Sequence, residues 1–359
     1  MDLKIGNTPV VGIKNRRGAR IMAKLEQLNP GGSIKDRIAL TMIEEAEARG
    51  QLHPGMSIIE SSSGNTAVGL AMIARSKGYT VYAVCDQNVP AGKLTRIAAL
   101  GAHIIYLPPT PPGFDSVELR IAIADTLAAE LPDAISTSQF SNPDNPLAHE
   151  LGTGPEIWEQ TGGEVTRIVA AVGTCGTITG VGHFLKARKP GIEIRAVEPR
   201  GSVIFGGERG NFLIQGGGLS FIPANLDISI VDTSTHVTDA EAISAIYRFA
   251  DETGVLVGGT AGWVLHDLYR LCEEASANDV IVGILPDGAD RYLDTIYSPD
   301  WLKRNGFALP ARSSAPSVMN RIAGDLGCTV NTVEGGGRTS VDALYMMMGL
   351  PLPETLLDA

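Results

Sequence analysis

Short aliphatic and β-branched runs alternate with stretches of helical spacing along most of this chain, and that alternation limits the folds it can adopt. Strands are predicted near residues 9–11 and at 20–25, 57–60, 80–85, 103–107, 167–172, 193–197, 228–231 and 279–285. Between them, helices are predicted at 34–49, 65–77, 90–101, 115–131, 177–189, 238–253 and 261–275. The first of these carries Ile38, Met42, Ile43 and Ala46 at near-helical spacing. Strands separated by single helices cannot be joined as hairpins. They form parallel sheets with crossover helices, which makes this an α/β chain. The pattern restarts after residue 145. We therefore expect two α/β domains, 1–145 and 146–304, with the first strands free to join the other domain, and an extension over 305–359. Residues 340–352 could form one apolar helix through Leu344, Met346, Met347, Met348 and Leu350, packed on the body or a subunit neighbour, or binding a partner.

Composition excludes several classes. The 359 residues suffice for two ordinary cores, and 44% hydrophobic with 19% charged residues is normal for a globular protein. A net charge of -11 without a basic run argues against nucleic acid or an anionic membrane as partner. No stretch approaches the roughly 20 apolar residues of a membrane span, and the first residues lack a signal-peptide core. Cys85, Cys175, Cys272 and Cys328 form no CxxC pair. No metal site is expected, and a reducing cytoplasm is the default.

The chemistry is concentrated in loops that follow strands, where α/β folds bind ligands. Asn29, Pro30, Gly31 and Gly32 make a flexible turn that runs into a helix start. Ser33 is read as its N-cap, and Asp36 three residues on completes a capping-box-like pattern. Lys35 then lies in the first helical turn, where the helix dipole disfavours an ammonium. A lysine of lowered pKa is a nucleophilic amine suited to a Schiff base. Ser61, Ser62, Ser63, Gly64, Asn65 and Thr66 offer an anion nest at a helix N-terminus, fit for a carboxylate. Gly173, Thr174, Cys175, Gly176 and Thr177 make a small, hydroxyl-bearing cradle that fits one phosphate. That cradle matches neither the nucleoside-triphosphate nor the dinucleotide fingerprint. Thr260, within the turn Gly258, Gly259, Thr260, Ala261, Gly262, offers one neutral hydroxyl, and Asp290 and Arg291 can form an ion pair. Singly, each has an ordinary reading as an exposed lysine, a cap or a tight turn. Together they match a phosphorylated aldehyde held by a lysine, which is pyridoxal 5'-phosphate.

In these motifs the sequence resembles the cysteine synthase / cystathionine β-synthase family, the fold-type II pyridoxal-phosphate enzymes. Gly6-Asn7-Thr8-Pro9, the stretch from Asn29 to Arg37, Ser62 to Thr66, Gln139-Phe140-Ser141-Asn142-Pro143, Gly154-Pro155-Glu156-Ile157-Trp158 and the later loops occur in family order over residues 4–300. The resemblance implies a two-domain fold with mostly parallel sheets flanked by helices. It implies that Lys35 carries the cofactor, that Asn65 contacts the cofactor's 3′-oxygen, and that residues 173–177 hold its phosphate. Thr260 would meet the pyridine nitrogen. Ser62, Ser63, Gly64, Thr66 and Gln139 would hold the substrate carboxylate. A homodimer is the family's common state.

One branch is more similar. Residues 201–206, together with Asp290, Arg291, Tyr292, Leu293, Asp294, Tyr297, Ser298, Trp301 and Leu302, resemble the branch that joins O-phospho-L-serine to L-glutamate on the way to 2,3-diaminopropionate. The expected reaction is β-replacement through an α-aminoacrylate, with Lys35 as general base. Arg209 is the candidate cation for a leaving phosphate. Cys175 departs from the family's usual Gly or Thr, and the segment from Gln215 to Ser220 is closer to the sulfur-using branch. A cysteine or S-sulfocysteine synthase is thus the alternative. From another class, so is a non-catalytic pyridoxal-phosphate-binding regulator.

Overall fold

The computed structural model describes residues 3–308 apart from 88, 90 and 112. The expected extension lies almost wholly outside the described residues, and the expected helix at 340–352 entirely so. The chain up to Tyr297 forms one compact unit, and a second begins at Ser298.

In the first unit, β1 (Val10–Ile13) and β2 (Arg20–Leu25) form an antiparallel pair, and α1 (Lys35–Ala48) follows. Next come β3 (Ser57–Ser61), α2 (Asn65–Lys77), β4 (Thr80–Cys85), α3 (Ala91–Ala99), β5 (His103–Tyr106), α4 (Ser116–Glu130) and β6 (Ala134–Ser136). Their strands make an all-parallel sheet in the order β5-β4-β3-β6. The chain then runs through α5 (Asp144–Ala148), one π-helical turn at His149–Thr153 and α6 (Gly154–Thr161). The second half of the unit holds β7 (Arg167–Ala171), α7 (Gly176–Arg188), β8 (Glu193–Pro199), β9 (Thr233–Val237), α8 (Asp239–Thr253), α9 (Gly259–Glu274) and β10 (Val280–Leu285). The second sheet has the order β1-β2-β10-β7-β8-β9, so the first two strands pair with the late ones, and only β1 is antiparallel to its neighbour.

All six residues of β10 are buried, as expected of a strand covered on both faces. Ile38, Met42 and Ile43 of α1 pack with Leu70 and Ile73 of α2 over Ile58 and Val81. On the other face, Ala124 of α4 packs on Ile59 and Val84. A separate core joins Ile168, Ile194 and Ile284 to Ile178, Val181 and Leu185 of α7. No helix of the described residues is long and apolar enough to cross a membrane. In the second unit, α10 (Pro299–Arg304) is capped by the Ser298 hydroxyl, and the Trp301 and Phe307 rings stack at 5.8 Å.

Two local expectations are corrected. Residues 228–231 do not form a strand. Asp227 caps a 3-10 turn over Ile228–Ile230 by accepting from the Ser229 N–H, and the strand follows at Thr233–Val237. The capping box before α1 also does not form. Ile34 occupies the cap position, and the Asp36 carboxylate turns back to accept from the Gly31 N–H at 2.5 Å.

Candidate functional site

The C-terminal ends of β3, β7 and β10 deliver three of the expected loops to one place, and the turn before α1 meets them. Ile34 N–H donates to the Pro286 carbonyl at 2.8 Å, and Ser33 bridges to Asp287. Lys35 is the first residue of α1, and the Ser33 hydroxyl accepts its backbone N–H at 3.2 Å. Burial lowers the Lys35 amine from its ordinary 10.5 to about 8, partly offset by Cys175, Asp287 and Glu60. Desolvation is thus the leading cause. Its Nζ lies 3.4 Å from the Thr174 hydroxyl.

The loop after β7 turns sharply, with Cys175 in the left-handed region at φ 63° and no side chain capping α7. The first-turn N–H groups of that helix are therefore free of a side-chain cap. Gly176 has to be small, because a Cβ there would lie 1.8 Å from Asn145 Oδ1. Thr174 Oγ1 accepts from Asn145 Nδ2 at 3.1 Å as well as from Lys35, which leaves its own hydrogen to donate to a ligand. Thr177 Oγ1 lies 3.2 Å from Nε2 of His149, a fully buried imidazole that burial holds well below its ordinary pKa. Burial pushes the Cys175 thiol up to about 12, so it stays protonated.

Lys35, Asn65, Thr174, Cys175 and Thr177 line one cavity together with Gly173, Thr260 and Asp287. Thr260, in the first turn of α9, has its hydroxyl 3.2 Å from the Gln215 carbonyl. Asn65, the first residue of α2, donates from Nδ2 to Asp287 Oδ2 at 2.8 Å.

The rest of the expected carboxylate loop is turned on itself. Ser62 Oγ accepts from the Gly64 and Ala67 N–H groups, both at 3.3 Å. Thr66 Oγ1 donates to Gln139 Oε1 at 2.6 Å, and Gln139 Nε2 donates to Glu60 and to the Ser61 carbonyl. Ser62, Ser63, Gly64 and Thr66 adjoin Asn65 in sequence and Gln139 meets them through Thr66, but none of the five is among the residues lining the cavity. Arg209 is not among them either. It is largely exposed and donates to Asp115 Oδ2 at 2.8 Å at the start of α4. Arg291 does pair with Asp290 at 3.0 Å, and it also donates to the carbonyls of Gly31 and Gly32.

Sequence reasoning passed over Asn145 and His149, and it noted the charged strand-end loop 286–292 without giving Asp287 or Tyr292 a role in the site. His149 and Asn145 act on the hydroxyls of Thr177 and Thr174 from behind, and nothing periodic marks them. Asp287 had a usable signal as the first carboxylate after the wholly apolar β10.

A phosphorylated pyridine aldehyde fits these residues. An amine of lowered pKa faces the cavity, an uncapped helix start with two hydroxyls offers an anion site, and the Asn65 amide and the Thr260 hydroxyl line the same cavity.

The comparisons agree. The family model described as pyridoxal-phosphate dependent enzyme matches residues 1–287. A cystathionine beta-synthase of Apis mellifera is 40% identical over 316 residues, covering 85% of this chain and 62% of that protein. One of Saccharomyces cerevisiae is 38% identical over 321 residues, covering 84% and 63%. This chain thus spans less than two thirds of the length of these relatives. A cysteine synthase of Staphylococcus aureus is 39% identical over 302 residues, covering 82% of this chain and 96% of its own. Among solved structures, O-ureido-L-serine synthase aligns with a TM-score of 0.78 at 32% identity, covering 88% of this chain and 97% of that one. An O-acetylserine dependent cystathionine beta-synthase from Helicobacter pylori aligns at 0.76 and 35%, covering 82% and 97%.

Proposed function

Since the chain belongs to the pyridoxal-phosphate dependent enzymes, we propose that it catalyses β-replacement on an activated L-serine. The observation that carries this reading is the Lys35 amine, with a pKa brought to about 8, in one cavity with an uncapped helix start and the Thr260 hydroxyl. Pyridoxal phosphate supplies, when bound, an aldehyde for an amine and a sink for the electron pair left by a departing α-proton.

Lys35 would hold the cofactor. Asn65 would face its ring oxygen, Thr260 its ring nitrogen, and residues 173–177 its phosphate. Lys35, released when the incoming amino group takes its place on the cofactor, would take the α-proton of the bound amino acid at Nζ and later return it. Backbone N–H groups of the 62–66 loop bind the substrate carboxylate at the positive end of α2. Gln139 and Thr66 brace that loop from below.

The favoured substrates are O-phospho-L-serine and an amine such as L-glutamate, leading towards 2,3-diaminopropionate. The branch-like residues 201–206 and 290–302 support them. The segment from Gln215 to Ser220 and the sulfur-using relatives favour a second reading, a cysteine or S-sulfocysteine synthase. A homodimer and a cytoplasmic setting belong to the same proposal. Holoenzyme is incubated with O-phosphoserine or O-acetylserine, paired separately with glutamate, sulfide and thiosulfate, and the products are weighed. A glutamate adduct is expected, sulfur products alone would establish the second reading, and no product from any pair would make the chain a cofactor-binding regulator. Arg209 would have to leave Asp115 to meet a departing phosphate. Arg209→Ala should then lower kcat/KM for O-phosphoserine about tenfold and spare O-acetylserine; an equal loss on both donors would remove Arg209 from the leaving-group role.

A further inference from the structure

Asp287 is 1% exposed, and its two carboxylate oxygens are in different situations. Oδ2 accepts from Asn65 Nδ2 at 2.8 Å and from the Tyr292 hydroxyl at 3.0 Å. Oδ1 is buried without a hydrogen-bond partner. The backbone around it is fixed from two sides: Gly258 N–H donates to the Asp287 carbonyl at 2.8 Å, and Ser33 bridges to Asp287 next to Lys35. The carboxylate is therefore set rigidly at the wall of the cavity that Lys35 and Asn65 also line.

We propose that Asp287 is a positioning residue that fixes the sense of the Asn65 amide, so that Asn65 presents a donor and not its carbonyl to the cofactor. An asparagine amide has one accepting oxygen and a nitrogen with two hydrogens. Beside an acceptor such as Oδ2, only the nitrogen is tolerated. One hydrogen is used on Asp287, and the second is held for an oxygen in the cavity. Without Asp287 the amide could turn over and set its carbonyl against that oxygen. Burial raises the Asp287 carboxyl. The arrangement survives protonation, because two donors already occupy Oδ2 and a proton would go to the unpartnered Oδ1.

This inference rests on the cofactor assignment above and is independent of the nucleophile. Wild type, Asp287→Ala, Asp287→Asn, Asn65→Ala and the Asp287→Ala/Asn65→Ala pair are stripped of cofactor and titrated with pyridoxal phosphate. Dissociation constants and the near-ultraviolet and visible bands of the bound cofactor are recorded. Asp287→Ala should weaken binding about tenfold and redistribute the bands. Asp287→Asn retains an accepting oxygen and should stay within about twofold of wild type. In the Asn65→Ala background, Asp287→Ala should add nothing, as coupled residues do. Additive losses, or an Asp287→Asn protein that matches Asp287→Ala, would overturn the proposal. If Asp287→Ala does not fold, Asp287→Ser, whose hydroxyl stops short of Asn65, takes its place. A wild type with no cofactor band would end the functional reading as well, whereas a normal wild-type band unmoved by Asp287→Ala ends this one alone.

Discussion

Lys35 owes its character to burial at a crowded turn more than to its place in a helix. Its amine falls from 10.5 to about 8. Between those pH values the folded chain has shed a proton that the unfolded chain still holds, so stability rises as pH rises through that window. Below pH 8 the lysine is charged in both states, and the folded chain carries the cost of burying that charge. Cofactor-free Lys35→Met should therefore be more stable than wild type at pH 7.5, with the gap narrowing towards pH 10.5; urea midpoints at the two pH values measure it, and a gap independent of pH would refute it. Lys35→Ala holoenzyme should lose turnover by a factor on the order of 10³. The sequence made this lysine legible through its neighbours, the Pro-Gly-Gly turn and the loops after the strands. It also suggested a capping box between Ser33 and Asp36 that does not form. Asp36 could be read only as a helix-start acid, because its partner, the Gly31 N–H, lies in a turn whose path the residue types leave open.

Among elements, α1, α6 and the end of β2 are held together by buried charge. Arg37 donates from Nε to Glu26 at 2.6 Å and from Nη1 to Glu156 at 2.7 Å, and Lys24 lies 2.8 Å from Glu156. Burial alone would raise the Glu156 carboxyl, but Arg37 and Lys24 bring it down to about 2. Its contribution is present above the ordinary glutamate range and fades as pH falls from about 4.5 towards 2. Arg37→Ala strips the buried Glu26 of its ion-pair partner, leaving it Thr8, Asn29 and the nearby Lys24, and should cost about 3–5 kcal/mol in urea unfolding. Glu156→Gln should flatten the acid limb of the stability profile over the same window. A second contact is steric. Gly180 of α7 abuts the Pro146 carbonyl, which a Cβ would approach to 2.0 Å. Gly180→Ala should destabilise by about 1–3 kcal/mol, read from the shift in urea midpoint.

The elements most faithfully legible were those with buried aliphatic faces. The apolar residues 228–231 misled, because Asp227 diverts them into a turn, while the true strand Thr-Ser-Thr-His-Val is a polar edge whose residues need no apolar signal. The helices flanking the π-helical turn carried no prediction, as Pro146 lies inside the short α5 and Pro155 in the first turn of α6.

At the scale of the compact unit up to Tyr297, the cavity lies where loops from both sheets converge, so neither sheet alone carries the site. The second sheet is also completed out of order. Arg20 of β2 pairs with Val280 of β10, while the strands of the first sheet all lie between Ser57 and Ser136. A ribosome therefore releases the hairpin of β1 and β2 long before the strand that it borders exists, and the first sheet can close in the meantime. Pairings so distant in sequence close slowly, since the loop entropy is lost before the contacts are gained. Refolding should proceed in two stages. Fluorophores reporting on β3 and β4 should reach their native distance before a pair on β2 and β10 does, and simultaneous closure would refute this order. Until β10 arrives, the nascent chain has an exposed strand edge and no cradle beside Lys35, which makes cofactor capture a late event in the life of each molecule.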